Sequence, residues 1–344
     1  MEGMNKLSSA DRARILHLLC EGSSIRSVIR LLNVGKNTVI RLMIDAGKAC
    51  ADYHDEHARN LQSKRIQVDE LWSFTYAKQK NVAAAKAAPD GAGDTWTWTA
   101  IDPGSKFIIS WFVGGRDGDC AAFFINDLAS RLANRVQLTS DGHKAYLEAV
   151  EGAFGADIDY AQLVKIYGAS TDSIKGRYSP AECTGAIKMP IEGKPDPTHI
   201  STSYAERANL TLRMHMRRFT RLTNGFSKKV ANHIHSMALF TTYYNFVRIH
   251  TTLRVTPAMA AGVSDRLWDV SDIVALLEAT EAKPGKRGST ALRAPCSGGA
   301  GGAIVSPPKP DTSNTSSTGL TGPLEHCHLR FFTNFVAVSL GRDF

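Results

Sequence analysis

Arg65-Ile66-Gln67-Val68-Asp69-Glu70-Leu71-Trp72-Ser73-Phe74-Thr75 carries the period-two alternation of a β-strand. On an extended chain Val68, Glu70 and Trp72 share one face, and Gln67, Asp69 and Leu71 share the other. Asp69 therefore falls mid-strand on a face expected to be largely buried, where a carboxylate is costly unless paired or metal-bound. Downstream, Thr95 to Ile101 and Phe107 to Val113 read as two more strands, joined by the turn Asp102-Pro103-Gly104-Ser105. Turn chemistry accounts for Asp102, which is not counted among the candidate catalytic acids.

Residues 119–134 form an amphipathic helix with Phe123, Phe124, Leu128 and Leu132 on its apolar side. Arg135 to Ser140 is a fourth strand, ended by Asp141-Gly142, and Lys144 to Leu147 opens another helix. A carboxylate at the C-terminal end of a strand, just before a helix, stands where open α/β sheets place their ligands. The same Asp141 would also serve as a helix N-cap or in an Asp-Gly turn. Residues 158–167 are an apolar strand or helix piece, and 170–197, rich in Gly, Pro and Lys, read as an irregular loop. Ser203 then reads as the N-cap of a helix carrying Glu206 in its first turn, with Arg213 about two turns further on the same face. Ser203-x-x-Glu206 also fits a capping box, which would confine Glu206 to its own helix start.

Three strands, a helix, a fourth strand and a helix thus precede a last carboxylate-bearing helix. With the first and fourth strands as neighbours, as in ribonuclease-H-like folds, Asp69, Asp141 and Glu206 would share a pocket. Three carboxylates held together cannot all stay ionised without cations between them. Hard oxygen ligands select Mg²⁺ or Mn²⁺, and two such ions ~4 Å apart serve phosphodiester displacement.

The N-terminal 7–47 region reads as three short helices around the turn Asn33-Val34-Gly35-Lys36, with Asn37 capping the third helix and Gly47 stopping it. This pattern fits a helix-turn-helix, whose last helix enters the DNA major groove by its N-terminus. Lys36, Asn37, Thr38 and Arg41 are the expected DNA contacts; a plain three-helix bundle with a solvated face is the competing reading. Residues 48–63 read as a helical linker, where Cys50, His54 and His57 are too few for a zinc site.

The net charge of +8 favours a polyanionic partner. Its placement is one-sided. From Arg207 through Arg254 there is no Asp or Glu, while Arg207, Arg213, Arg217, Arg218, Arg221, Lys228, Lys229, Arg248 and Arg254 accumulate. That run reads as a surface for a phosphate backbone. Six scattered Cys without Cys-x-x-Cys spacing read as reduced thiols of a cytoplasmic protein. No apolar run approaches the ~20 residues of a membrane span. Residues 263–280 suggest a last short helix, and 281–344, dense in Gly, Pro, Ser and Thr, are expected to be a disordered tail.

Taken together, three motifs resemble the DDE-type transposases of the insertion-sequence-one family. They are Val68-Asp69-Glu70-Leu71-Trp72, Ser140-Asp141-Gly142-His143-Lys144-Ala145-Tyr146, and His199-Ile200-Ser201-Thr202-Ser203-Tyr204-Ala205-Glu206-Arg207. Arg217 to Asn224, Tyr244 to His250 and Thr256-Pro257-Ala258 are similar too, so the resemblance spans roughly residues 7–262. It implies a helix-turn-helix domain over 1–47, a linker over 48–63 and a ribonuclease-H-like catalytic domain over 64–262. It implies that Asp69, Asp141 and Glu206 hold the catalytic metals, and that Arg213 is the basic residue such enzymes use near the scissile DNA. The implied partners are the element's terminal inverted repeats and target DNA, in the bacterial nucleoid, with a homodimer or larger assembly. The implied reaction is metal-dependent hydrolysis at the element's ends and transfer of the freed 3′-hydroxyl into target DNA. A catalytically silent DNA-binding derivative and a stand-alone nuclease are the alternatives.

Overall fold

A computed structural model of the chain describes residues 7–168, 183–220 and 223–281. Three helices lead: α1 (Ser9–Cys20), α2 (Ile25–Leu32) and α3 (Lys36–His57). Then come β1 (Arg65–Thr75), the single turn α4 (Gln79–Val82), β2 (Gly93–Ile101), β3 (Ile108–Gly114), α5 (Gly118–Arg131), β4 (Gln137–Asp141) and α6 (Ala145–Phe154). The rest comprises β5 (Asp159–Tyr167), β6 (Cys183–Glu192), α7 (Ser203–His215), α8 (Val230–Thr242), the short α9 (Pro257–Ala260) and α10 (Val270–Thr280).

The strands form one mixed sheet in the order β3-β2-β1-β4-β5-β6. β1, β2 and β3 are an antiparallel meander, β4 and β5 run parallel to β1, and β6 returns antiparallel to β5. β1 and β4 are neighbours, as expected, and the fold is α/β. The Asp102 turn also forms as read, its carboxylate accepting from the Gly104 N–H at 2.8 Å and the Ser105 hydroxyl at 2.7 Å.

Both faces of the sheet are covered around its central strands, where β1 and β2 are largely buried. On one side Ile66, Val68, Trp98 and Ala100 meet Phe124 and Leu128 of α5 and Tyr146 and Val150 of α6. On the other, Leu71 joins Leu212 of α7, Phe240 of α8, and residues of α1–α3 and α10 in a second cluster. Each such buried aliphatic or aromatic side chain contributes roughly 1.5–3 kcal/mol of transfer free energy.

Three expectations are corrected here. Helix α3 does not stop at Gly47 but runs on to His57, so the expected 48–63 linker begins inside it. A Cβ at position 47 would lie 2.3 Å from the His235 carbonyl oxygen, so this glycine permits the close crossing of α3 and α8. The N-cap of α3 is Gly35 rather than Asn37. The 183–192 part of the expected loop is an edge strand. Nearly all its residues are exposed, so it shows no burial alternation, and Pro190 falls beside a register shift, where a missing N–H is tolerated. The expected tail from 282 onward lies outside the described residues.

Candidate functional site

The hydrogen-bond ladder between β1 and β4 ends at the pair Gln67↔Thr139. Asp69 and Asp141 come just beyond it, where the two parallel strands part, while β5 still holds β4 through the pair Asp141↔Leu163. One carboxylate oxygen each of Asp69, Glu70 and Asp141 lies within 4.8 Å of the others, the one such metal-capable cluster among the described residues. Asp69 Oδ1 accepts from the Glu70 backbone N–H at 2.9 Å, and Oδ2 from the Asn209 amide at 2.7 Å. Burial first, and the Asp141 charge second, push the Asp69 carboxyl up to about 6, with a smaller contribution from Glu206. Asp141 Oδ1 accepts from the His143 N–H at 3.0 Å, so the turn role read for it is real and leaves Oδ2 for the cluster.

Glu70 stands on the opposite face of β1 from Asp69, yet its carboxyl reaches the same gap. The Glu70 side chain is 1% exposed, against 34% for Asp141. Burial and the nearby Asp141 push it up to about 7. Arg116, just after β3, answers both acids: its Nη2 is 3.4 Å from Glu70 Oε2 and 3.6 Å from Asp141 Oδ2, with the guanidinium over the Trp96 ring. The Tyr146 hydroxyl faces Glu70 as well. It lies outside ordinary hydrogen-bond geometry, and Glu70 Oε1 is buried without a partner.

Glu206 arrives on α7. The N-cap of that helix is Thr202, and no capping box forms around Ser203. Instead the Gln67 side-chain oxygen on β1 accepts the N–H groups of Tyr204 (2.8 Å) and Ala205 (3.2 Å), satisfying the first turn from another element. The Thr202 hydroxyl donates to Glu206 Oε1, and Lys165 of β5 forms an ion pair with the same oxygen. Glu206 is thus beside Asp69 but outside the tight three-acid cluster. Arg213 lies on α7 two turns later, half-buried.

The basic candidates divide. Lys36, Asn37, Thr38 and Arg41 are all exposed along the first turn and a half of α3, and Arg207 and Arg217 are exposed near α7. Arg218 is not outward. Its guanidinium donates to Ser227 Oγ at 2.6 Å and contacts Met43 Sδ at 3.0 Å, an environment that lowers it to about 10 by burial. Arg218 therefore ties its segment to α3 rather than facing a partner. Arg221 lies outside the described residues.

Sequence reasoning did not single out Glu70, Asn209, Gln67, Arg116 or Lys165. Asn209 had a signal, since it follows Glu206 by one helical turn on the same face. Arg116 and Lys165 had none, because their relation to the acids exists only across strands. No known protein family and no curated protein matches the chain in sequence.

The donor set suits a hard divalent cation: carboxylate oxygens only, one of them buried and unpartnered, in the gap where the end of β4 parts from β1. Each Asp69 oxygen accepts one hydrogen bond, and Asp141 Oδ2 faces only the Arg116 guanidinium at 3.6 Å, so both acids keep lone pairs for a cation, with Glu206 close enough to Asp69 to act on its charge. Among the described residues no helix is long and apolar enough to cross a membrane.

Proposed function

We propose that the chain is a DNA transposase of the insertion-sequence type, with a ribonuclease-H-like catalytic core. One observation carries this reading. Asp69 on β1 and Asp141 at the end of its parallel neighbour β4, far apart in sequence, meet in one acidic cluster beside the helix bearing Glu206. The strand order β3-β2-β1-β4-β5 around that cluster supports the assignment of the core.

In this reading Asp69, Asp141 and Glu206 hold Mg²⁺ or Mn²⁺. The ions, when bound, supply Lewis-acid activation of an attacking oxygen and stabilise the leaving oxygen of a phosphodiester. The chain's own residues do the rest. Asn209 fixes which way Asp69 points, Gln67 holds α7 against β1, and the His143 N–H orients Asp141. Arg207 and Arg217 offer exposed positive charge to the DNA backbone, and Arg213 stands on the Glu206 helix for the strand near the reacting phosphate. The exposed start of α3, with Lys36, Asn37, Thr38 and Arg41, serves as a recognition helix in a helix-turn-helix formed with α2. The substrates are duplex element ends and target DNA, acted on by a dimer or larger assembly.

A catalytically silent DNA-binding derivative is the alternative, and the complete set of acids argues against it. The test is movement of a marked element carrying the native flanking DNA, wild type against Asp141→Asn. Transposition lost in the variant, with DNA binding and folding kept, supports the enzyme. An immobile wild type that still footprints specific ends favours the binding-only derivative.

A further inference from the structure

Glu70 is the acid that the Asp69, Asp141 and Glu206 set leaves unused. It is also deeply enclosed: the residue is 9% exposed and its side chain 1%. Oε1 accepts no hydrogen bond, the Tyr146 hydroxyl that faces Glu70 being itself buried and unbonded, and Oε2 has a 3.4 Å contact with Arg116. A buried carboxylate with one orphaned oxygen costs more than the same group left in water or fully paired. An apolar side chain would fill the position without that penalty, between Val68 and Trp72 on a face packed by aromatic residues. Arg116 cannot balance the cluster alone, since one partly exposed guanidinium is shared between Glu70 and Asp141 while Asp69 receives only neutral donors.

We propose that Glu70 is a metal ligand, completing with Asp69 and Asp141 an inner divalent-cation site in the gap between β1 and β4. The proposal rests on the metal-dependent reading above and deepens it. The inner set of three oxygens is distinct from Glu206, which is 43% exposed and already engaged by Lys165 and Thr202, and which serves an outer ion with Asp69. Two adjacent residues of one strand, pointing to opposite faces, would thus grip the same ion from above and below the sheet plane.

The test is Mn²⁺ binding to the full chain without DNA, followed by calorimetric titration and by water-proton relaxation. Wild type, Glu70→Gln and Asp141→Asn are compared, with exposed Glu151→Gln on α6 as a control. The expected result is a tenfold or greater weakening of the tighter Mn²⁺ site in Glu70→Gln, with an apo melting temperature no lower than wild type. Glu70→Met, similar in volume and without polar atoms, should lose the same site and gives a second folded variant. If both Glu70 variants bind Mn²⁺ as wild type does while Asp141→Asn does not, Glu70 is only a structural partner of Arg116 and the inference is overturned. If the wild type binds no Mn²⁺, or Asp141→Asn binds it normally, the metal reading itself fails and takes this inference with it.

Discussion

The Asn209 amide on α7 donates to Asp69 Oδ2 on β1 over 2.7 Å, joining the helix that carries Glu206 to the strand that carries the central acid. The Thr99 hydroxyl approaches the same amide's oxygen at 3.4 Å, so Asn209 is held from both ends. The pair fixes one acid relative to the other through three elements.

Asn209→Leu removes the donor and leaves a buried carboxylate oxygen unpaired. We expect a loss of about 1–3 kcal/mol in urea unfolding at neutral pH. An unchanged midpoint would show that water replaces the amide. On the proposed function, transposition should fall further than the stability loss explains, because Asp69 is no longer aimed.

Arg116→Gln takes away the one cation shared by Glu70 and Asp141. The apo protein should melt several degrees lower, and millimolar Mg²⁺ should close much of the gap between variant and wild type. A gap that Mg²⁺ leaves untouched would mean Arg116 acts through its packing on Trp96 alone.

His54 gives the pH dependence. It is buried on α3, with Nε2 3.2 Å from the Ile108 carbonyl, and burial and then Arg131 lower it to about 4. The unfolded imidazole takes its proton near 6.5, so the folded state binds fewer protons between about 4 and 6.5. This contribution is therefore complete above pH 6.5 and is lost as pH falls through 4. Its full size is about 3 kcal/mol, from a shift of 6.5 to about 4. Comparing urea midpoints at pH 7.5 and 4.5, His54→Gln should show a smaller acid loss than wild type; equal losses would place the acid sensitivity elsewhere.

Two glycines within helices should respond oppositely. Gly47→Ala drives a methyl into the His235 backbone at 2.3 Å and should cost 3 kcal/mol or more, on the order of severe overpacking. Gly152→Ala in α6 meets nothing within 4 Å and should stabilise by about 0.5–1 kcal/mol. Thermal melts of both decide whether the α3–α8 crossing is as close as described.

Arg217 and Arg218 are neighbours in sequence with separate fates. Arg217→Ala should leave stability alone and, on the proposed function, reduce the salt dependence of DNA binding by about one contact. Arg218→Ala should instead destabilise the fold by roughly 1–3 kcal/mol, through loss of its bond to Ser227. Reversed outcomes would exchange their roles.

Much of the sheet was legible because alternation and turn residues are local signals. β1, the Asp102 turn, β4 with Asp141, and the helix after Asp141 were read close to their true bounds. What was missed depends on partners distant in sequence. Gly47 reads as a helix stop until α8 is present to explain it. Ser203-x-x-Glu206 reads as a capping box until Gln67 takes over the cap from β1. Glu70 was read on its strand face correctly, but the parting of β1 from β4 that lets it reach Asp141 is a tertiary event.

Helix α3 has a consequence of its own. Its 22 residues span about 33 Å, from the exposed turn at Lys36 to His54, which is bonded to β3. Its middle is clamped on α8, and its core is shared with α10. On the proposed function, α3 runs without a break from the part of the molecule that reads a DNA sequence to the core that carries the cutting residues. The distance along the DNA from recognised bases to reacting phosphate is then a property of helix length, measured out like marks on a ruler. Lengthening α3 by one turn would move the cut, rather than loosen the choice of where to bind.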